Sequence, residues 1–353
     1  MKKTLFYVKI LTIFVLFIFS TACGKSNQSS QTIDLITDEL VIYCFDSFAS
    51  WGLGPSVIPE FERLYDCKVT LESTGSGGTI LNRVILEKDN PKADIAIGIN
   101  NSHLHRALSE DVFISYKPEN LVNITDEDLL IDNTYTFIPY EYSYYAFVYD
   151  SEVLKTPPKT FGEMHSSMWK DKLIFIDPRT SSPGYGLLIW TLSIYGDRGF
   201  EQFWNSLKNN ILFSPPSWNE AYSAFLAGEA PIVLSYATSP AYHIENEKTT
   251  RYKAFIPEEG GFREIGFAGI IKGSKNMYLA KKFIEYMLTE DFQKHIPEKQ
   301  WTMPVIDNIE LPASYASMPV PTQDLSAKAF NNSNNYSEKW LDKWTQIMTS
   351  RKK

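Results

Sequence analysis

The sequence predicts an α/β fold of two lobes with a ligand cleft between them. Two observations lead there. Strand-like and helix-like stretches alternate along most of the 353 residues, the rhythm of helices layered on a parallel sheet. Two extended stretches, "TFIPYEYSYYAFVYD" and "EIGFAGIIKG", break that rhythm and read as crossings between lobes. A chain of this length suffices for two domains of ordinary size. The expected division is residues 39–139 with 264–315 in one lobe and 140–263 with 316–350 in the other.

The amino terminus precedes the fold. Lys2, Lys3 and Lys9 flank an apolar run over residues 10–19, and small residues lead from there to Cys23. A basic region, a short apolar core and a small-residue cleavage site make a signal peptide. The run is well short of the ~20 apolar residues that a spanning helix needs. A cysteine directly after small residues resembles a bacterial lipobox, although Ser20 stands where leucine is usual, so residues 1–23 are expected to be a lipoprotein leader with Cys23 lipidated. Residues 24–38, which begin "GKSNQSSQTID", then form a flexible polar tether. The exported chain is expected at the cell membrane, on its periplasmic side or outer face.

The first lobe opens with the strand "VIYCFDSF", then a helix from about Ser56 whose first turn holds Pro59. "CKVTLES" leads into the helix "TILNRVILEK", with Ile80, Val84 and Glu87 at helical spacing, and "ADIAIGI" leads into a short helix. After the first crossing come "KLIFID", "GLLIWTLSIYG" and the helix "FEQFWNSLKNN". "SWNEAYSAFLAG" begins with Ser217 and Glu220 as a capping box and stops at Gly228. "APIVLSYA" is a buried strand by its unbroken apolar run. "NMYLAKKFIEYML" and "EDFQKHI" read as helices, and a terminal helix carries Trp340, Trp344 and Ile347 on one face.

Composition excludes several roles. The net charge of −8, with no basic block, argues against nucleic acid as a partner. No nucleophile elbow, phosphate-binding P-loop or zinc-protease motif is present. His103 and His105 lack a third ligand at suitable spacing and read as surface imidazoles, so no metal site is expected. Cys44 lies late in its strand and Cys67 early in the next, too far apart for a disulfide if the strands are parallel neighbours.

What remains suits a flat ligand. Ser76, Gly77 and Gly78 lie in a Gly-rich turn, Gly75 to Gly78, that opens directly into a helix at Thr79, and Thr180, Ser181, Ser182 and Gly184 stand ahead of another. Free N–H groups at helix N-termini, helped by hydroxyls, favour an anion or hydroxyl. Aromatic residues make up 14% of the chain, an excess that supplies ring faces beyond core filling. Phe45, Trp51, Trp218, Tyr236, Tyr242 and Trp301 sit in turns at the ends of strands or in first turns of helices, where pocket walls are found. Alternation turns Cys44 and Phe45 to opposite faces of their strand.

"FDSFASWGLGP", "GGTILNR", "DPRTSSPGYGLLIW", "WNEAYSAFLAGE", "VLSYATSPAYH" and "IPEKQWTMPV" fall in one order over roughly residues 40 to 345. In that order they resemble the thiamine-binding periplasmic proteins of bacterial ABC importers. The resemblance implies the type II periplasmic-binding-protein fold and a monomer with no cofactor and no catalysis. It implies capture of thiamine, thiamine monophosphate or thiamine diphosphate for a membrane permease and its ATPase. It further implies that Phe45, Tyr242 and Trp301 surround the bicyclic cation, while Gly77, Ser181, Ser182, Trp218 and Tyr236 meet its hydroxyethyl or phosphate end. Asp46 and Glu141 could add charge complementarity to a permanently cationic thiazolium. The pattern departs at Phe45, where tyrosine is common, and at Glu141 and Asn100, where aspartate is common.

Two rivals stand beside this reading. Thiaminases of one class share the fold and attack with a cleft cysteine, a role that would fall to Cys44. A binder of a ferric complex or a polyamine is the other.

Overall fold

The computed structural model describes residues 38–50, 52–326 and 338–350. Cys23, the leader, most of the tether and Trp51 lie outside the described residues. The first elements are β1 (Glu39–Cys44), α1 (Asp46–Ser50), α2 (Gly54–Tyr65), β2 (Lys68–Ser73), α3 (Gly77–Leu86), β3 (Ile95–Asn100), α4 (Leu104–Ser109), β4 (Phe113–Ile114) and β5 (Phe137–Asp150). Then come β6 (Leu173–Ile174), α5 (Ser182–Leu207), β7 (Ile211–Phe213), α6 (Trp218–Leu226), β8 (Ile232–Tyr236), α7 (Ser239–Tyr242) and β9 (Tyr252–Phe255). The chain closes with β10 (Arg263–Ile271), α8 (Met277–Met287), α9 (Glu290–Gln293), β11 (Met303–Pro304) and α10 (Glu338–Thr349).

Among the described residues the strands share one sheet path, β2-β1-β3-β10-β5-β8-β6-β7. β1 pairs parallel with both β2 and β3, as the alternating rhythm predicts. The two crossings depart from that pattern: β10 runs antiparallel to β3 and to β5. β5 is long enough to serve four partners, pairing with β10 over Phe137–Tyr144 and with β8 over Tyr145–Tyr149, and also with the short strands β11 and β9. Antiparallel strands can lie side by side without a helical crossover, so the second crossing can return directly along the first.

Two separate hydrophobic cores result. One gathers Leu40 through Tyr140 and Ile265 through Val305; the other gathers Tyr145 through Phe262 together with Leu325, Trp340, Trp344 and Ile347. Along β5 the change of core falls between Tyr140 and Tyr145, and along β10 it falls at its first residues. The terminal helix presents the predicted face: Trp340 meets Phe200 edge-on at 4.9 Å and Trp344 meets Trp204 at 6.1 Å.

Local details differ from the sequence reading. α2 starts at Gly54, so Pro55 rather than Pro59 occupies its first turn, and Pro59 sits inside the helix. There it removes one backbone donor from the ladder. α3 and α5 begin at Gly77 and Ser182, earlier than expected, which puts Gly78 and Gly184 inside first turns. The stretches "GLLIWTLSIYG" and "FEQFWNSLKNN" run together as α5, broken at Gly196, whose φ of 61° suits glycine. The register pairs Cys44 with Ser73 and Glu39 with Lys68, which leaves Cys44 and Cys67 at opposite ends of their strands, both as free thiols.

Candidate ligand-binding site

A cavity of about 630 Å³ lies where the ends of the strands from both cores meet. Phe45 follows β1, Ser76 and Gly77 follow β2, and Asn100 ends β3. From the other side come Ser181 and Ser182 beyond β6, Trp218 beyond β7 and Tyr236 at the end of β8. Ligands of open α/β sheets generally sit outside the carboxyl ends of strands, where loops can converge without interrupting the ladder.

Aromatic rings form the walls. Tyr242 ends the short helix α7 and meets Trp301 edge to face, with centroids 5.4 Å apart and planes at 88°. Trp301 itself adopts φ 60° and its carbonyl accepts from the Thr238 hydroxyl at 2.5 Å, which fixes the ring beside the second lobe. Trp218 stacks on Tyr222 at 4.9 Å and 21°, and its indole N–H donates to Ser235 at 2.9 Å. Tyr236 lies over Tyr145 at 5.5 Å. Phe45 is seated against Gly98, where a β-carbon would fall 2.3 Å from the ring, so the glycine makes space for that ring.

The polar end is built from two helix N-termini that face each other. The Ser76 hydroxyl donates to the carbonyl of Thr180 at 3.0 Å, a bond that spans the cleft. Gly77 packs so closely that a β-carbon would lie 2.4 Å from the Gly98 carbonyl and 3.2 Å from Ser182 Oγ. Ser181 and Ser182 are buried, and Ser182 Oγ has no partner among the described residues, so a ligand hydroxyl or phosphate oxygen would satisfy it.

Carboxylates line the floor. Glu141 is buried and accepts from the Tyr140 and Thr302 hydroxyls, each at 2.7 Å. Burial pushes its carboxyl up to about 7, with a smaller upward push from Glu264. Glu264 accepts from the Tyr145 hydroxyl at 2.8 Å, from the Asn100 amide and from Tyr236, and burial raises its carboxyl as well. Asn100 therefore carries no charge itself but holds one that β10 supplies. Asp46 lines the cavity more openly and accepts from Ser73.

Three comparisons bear on the family. The family model for bacterial extracellular solute-binding proteins matches residues 90–328. The thiamine-binding periplasmic protein of Brucella melitensis is 39% identical over 87% of this chain and 91% of its own. That of Escherichia coli is 39% identical over 81% and 86%. The chain belongs to the bacterial extracellular solute-binding proteins. A solved structure of a periplasmic thiamin binding protein superposes with a TM-score of 0.80 at 35% identity, covering 88% of this chain and 96% of its own. The two-lobed periplasmic-binding-protein fold is thus established for this solute-binding protein, and the relatives above are named as thiamine-binding periplasmic proteins.

Of the residues singled out from sequence, Phe45, Asp46, Ser76, Gly77, Glu141, Ser181, Ser182, Trp218, Tyr236, Tyr242 and Trp301 line the one cavity. Gly78 does not: it faces His103, whose Nε2 would lie 3.0 Å from a β-carbon there. The reason is the earlier start of α3, which rotates Gly78 to the helix flank. Cys44 is fully buried in the first core with its thiol pushed up to about 12 by burial, and it is absent from the lining. A thiol so placed has neither access nor thiolate character.

Sequence reading missed Glu264, Tyr222 and His243, which also line the cavity. Glu264 was visible as the acid heading an apolar strand, and Tyr222 as the residue one turn beyond Trp218. The surface-imidazole reading does not extend to His243, which is fully buried, bonded to Tyr222 at 2.9 Å and to Glu247 at 2.7 Å.

Proposed function

We propose that this solute-binding protein captures thiamine, with its mono- and diphosphate as further ligands, and delivers it to an ABC permease and its ATPase. The observation that carries this reading is the convergence of Phe45, Tyr242 and Trp301 with Glu141 on one cavity. Ring faces attract a cationic heterocycle by about 0.5–2 kcal/mol per contact. A carboxylate beside them complements its charge, and the flat walls exclude bulky solutes. Ser76, Gly77, Ser181 and Ser182, at the N-termini of α3 and α5, would take the hydroxyethyl or phosphate end. Relatives of 39% identity carry the thiamine-binding name, which supports the assignment. Calorimetry with thiamine tests it, together with mass spectrometry of small molecules released from the purified, denatured protein. No heat at micromolar ligand and no thiamine in the extract would overturn it.

The mature protein, in this reading, is a monomer anchored by a lipid on Cys23 through the tether of residues 24–38. Its lobes are residues 39–139 with 264–315 and residues 140–263 with 316–350. Replacing Cys23 with serine should release it from the membrane fraction.

A further inference from the structure

Among the described residues, the cavity is lined by Asp46, Glu141 and Glu264 and by no lysine or arginine. Glu141 is buried and Glu264 is half-buried. Glu141 and Glu264 project from adjacent crossings, with Glu141 opposite Gly266 and Glu264 opposite Ser143 in the register. Gly266 leaves the space that Glu141 fills, since a β-carbon there would fall 2.9 Å from its Cγ. A carboxylate withdrawn from water needs hydrogen bonds and an opposite charge. Glu264 has the hydrogen bonds, from Tyr145, Tyr236 and Asn100. Its neighbour Arg263 is committed elsewhere, to Asp126, Asp128 and Asp324.

We infer that Glu264 is the specificity-determining counter-charge of this site, the residue that makes the cleft select a cationic heterocycle over a neutral one of the same shape. The inference rests on the thiamine reading above and deepens it. Three features support it. The donors to Glu264 come from both sides of the cleft, Asn100 from the first lobe and Tyr145 and Tyr236 from the second, so the carboxylate is held rigidly where the lobes meet. Glu264 itself lines the cavity and accepts from Tyr236, whose ring is tilted against Tyr145 and Trp218, so the acid sits beside one aromatic wall. Burial disfavours its charge in the empty cleft, and an arriving cation relieves that penalty.

The test compares thiamine with its thiophene analogue, in which carbon replaces the cationic ring nitrogen and shape is retained. Wild-type protein should bind thiamine roughly a hundredfold more tightly, the factor expected for a charge pair about 6 Å apart at an effective dielectric of about 20. In Glu264→Gln, which keeps the size and an acceptor oxygen, that preference should fall by about tenfold or more, with affinity for the analogue nearly unchanged. A variant that loses both ligands equally, or retains the full preference, would show that Glu264 only holds the walls or does nothing for charge. The wild-type pair of measurements stands even if the variant does not fold. Equal binding of both ligands by wild type overturns this inference alone, whereas binding of neither overturns the thiamine reading and this inference with it.

Discussion

Capture of a thiazolium cation should weaken about tenfold between pH 8 and pH 6 and should release a proton as it does so. Glu141 is the group responsible. Its ordinary value of 4.5 is raised to about 7 by burial, against the opposing hydrogen bonds from Thr302 and Tyr140 and with Glu264 pushing the same way. At pH 8 the carboxyl of the empty protein is then about nine-tenths ionised, and at pH 6 about one-tenth. A cation binds the ionised form, so apparent affinity follows that fraction, and about nine-tenths of a proton leaves on binding at pH 6. The folding side has the matching sign. Between the unfolded value of 4.5 and the folded value of about 7, the folded empty protein holds more protons than the unfolded chain. Its stability therefore falls as pH rises through that window, by something on the order of 3 kcal/mol from this group, and bound cation restores it. Calorimetry in two buffers of different ionisation enthalpy reads the proton directly, and Glu141→Gln should remove most of the pH dependence, leaving the part that Glu264, whose carboxyl burial also raises, contributes. An affinity that is flat from pH 6 to pH 8, with no buffer dependence of the heat, would refute the reasoning.

Trp301→Ala should weaken thiamine binding by ten- to a hundredfold with little loss of stability, since it removes a wall of the cleft, as titration calorimetry would show. Trp340→Ala should do the reverse, costing about 3–5 kcal/mol in denaturant unfolding because the ring is buried in the second core. Gly98→Ala should push Phe45 out of the cavity, because the new β-carbon would meet its ring at 2.3 Å and the backbone holds φ 101°. Lower affinity together with a lower melting temperature is the expected pair of results. Cys44 should resist alkylation in the native protein and react only on unfolding, and incubation with thiamine and a nucleophilic acceptor should yield no free thiazole. Rapid native alkylation with turnover would revive the transferase reading.

Much of the fold was legible because hydrophobic period and capping act locally. Ser217 caps α6 as expected, accepting from the Glu220 N–H at 3.2 Å, although the Glu220 carboxylate accepts from the Ser217 hydroxyl rather than closing the box on its backbone; the alternation that sends Phe45 to the cleft and Cys44 to the core holds. Helix starts were less legible: α3 begins at Gly77, whose close approach to the Gly98 carbonyl is a contact between strand and helix that the local sequence does not display.

The amino-acid order by itself determined the lobed α/β architecture, the aromatic character of the cleft and the family resemblance, since each is written in residues near one another along the chain. The tertiary structure alone decided which charges matter. Glu141 and Glu264 lie more than a hundred positions apart, and their meeting on one floor depends on β5 and β10 pairing antiparallel. Electrostatic effects act through space and depend on burial, so the acid at the head of an apolar strand became a candidate counter-charge only once Tyr145, Tyr236 and Asn100 were seen to surround it.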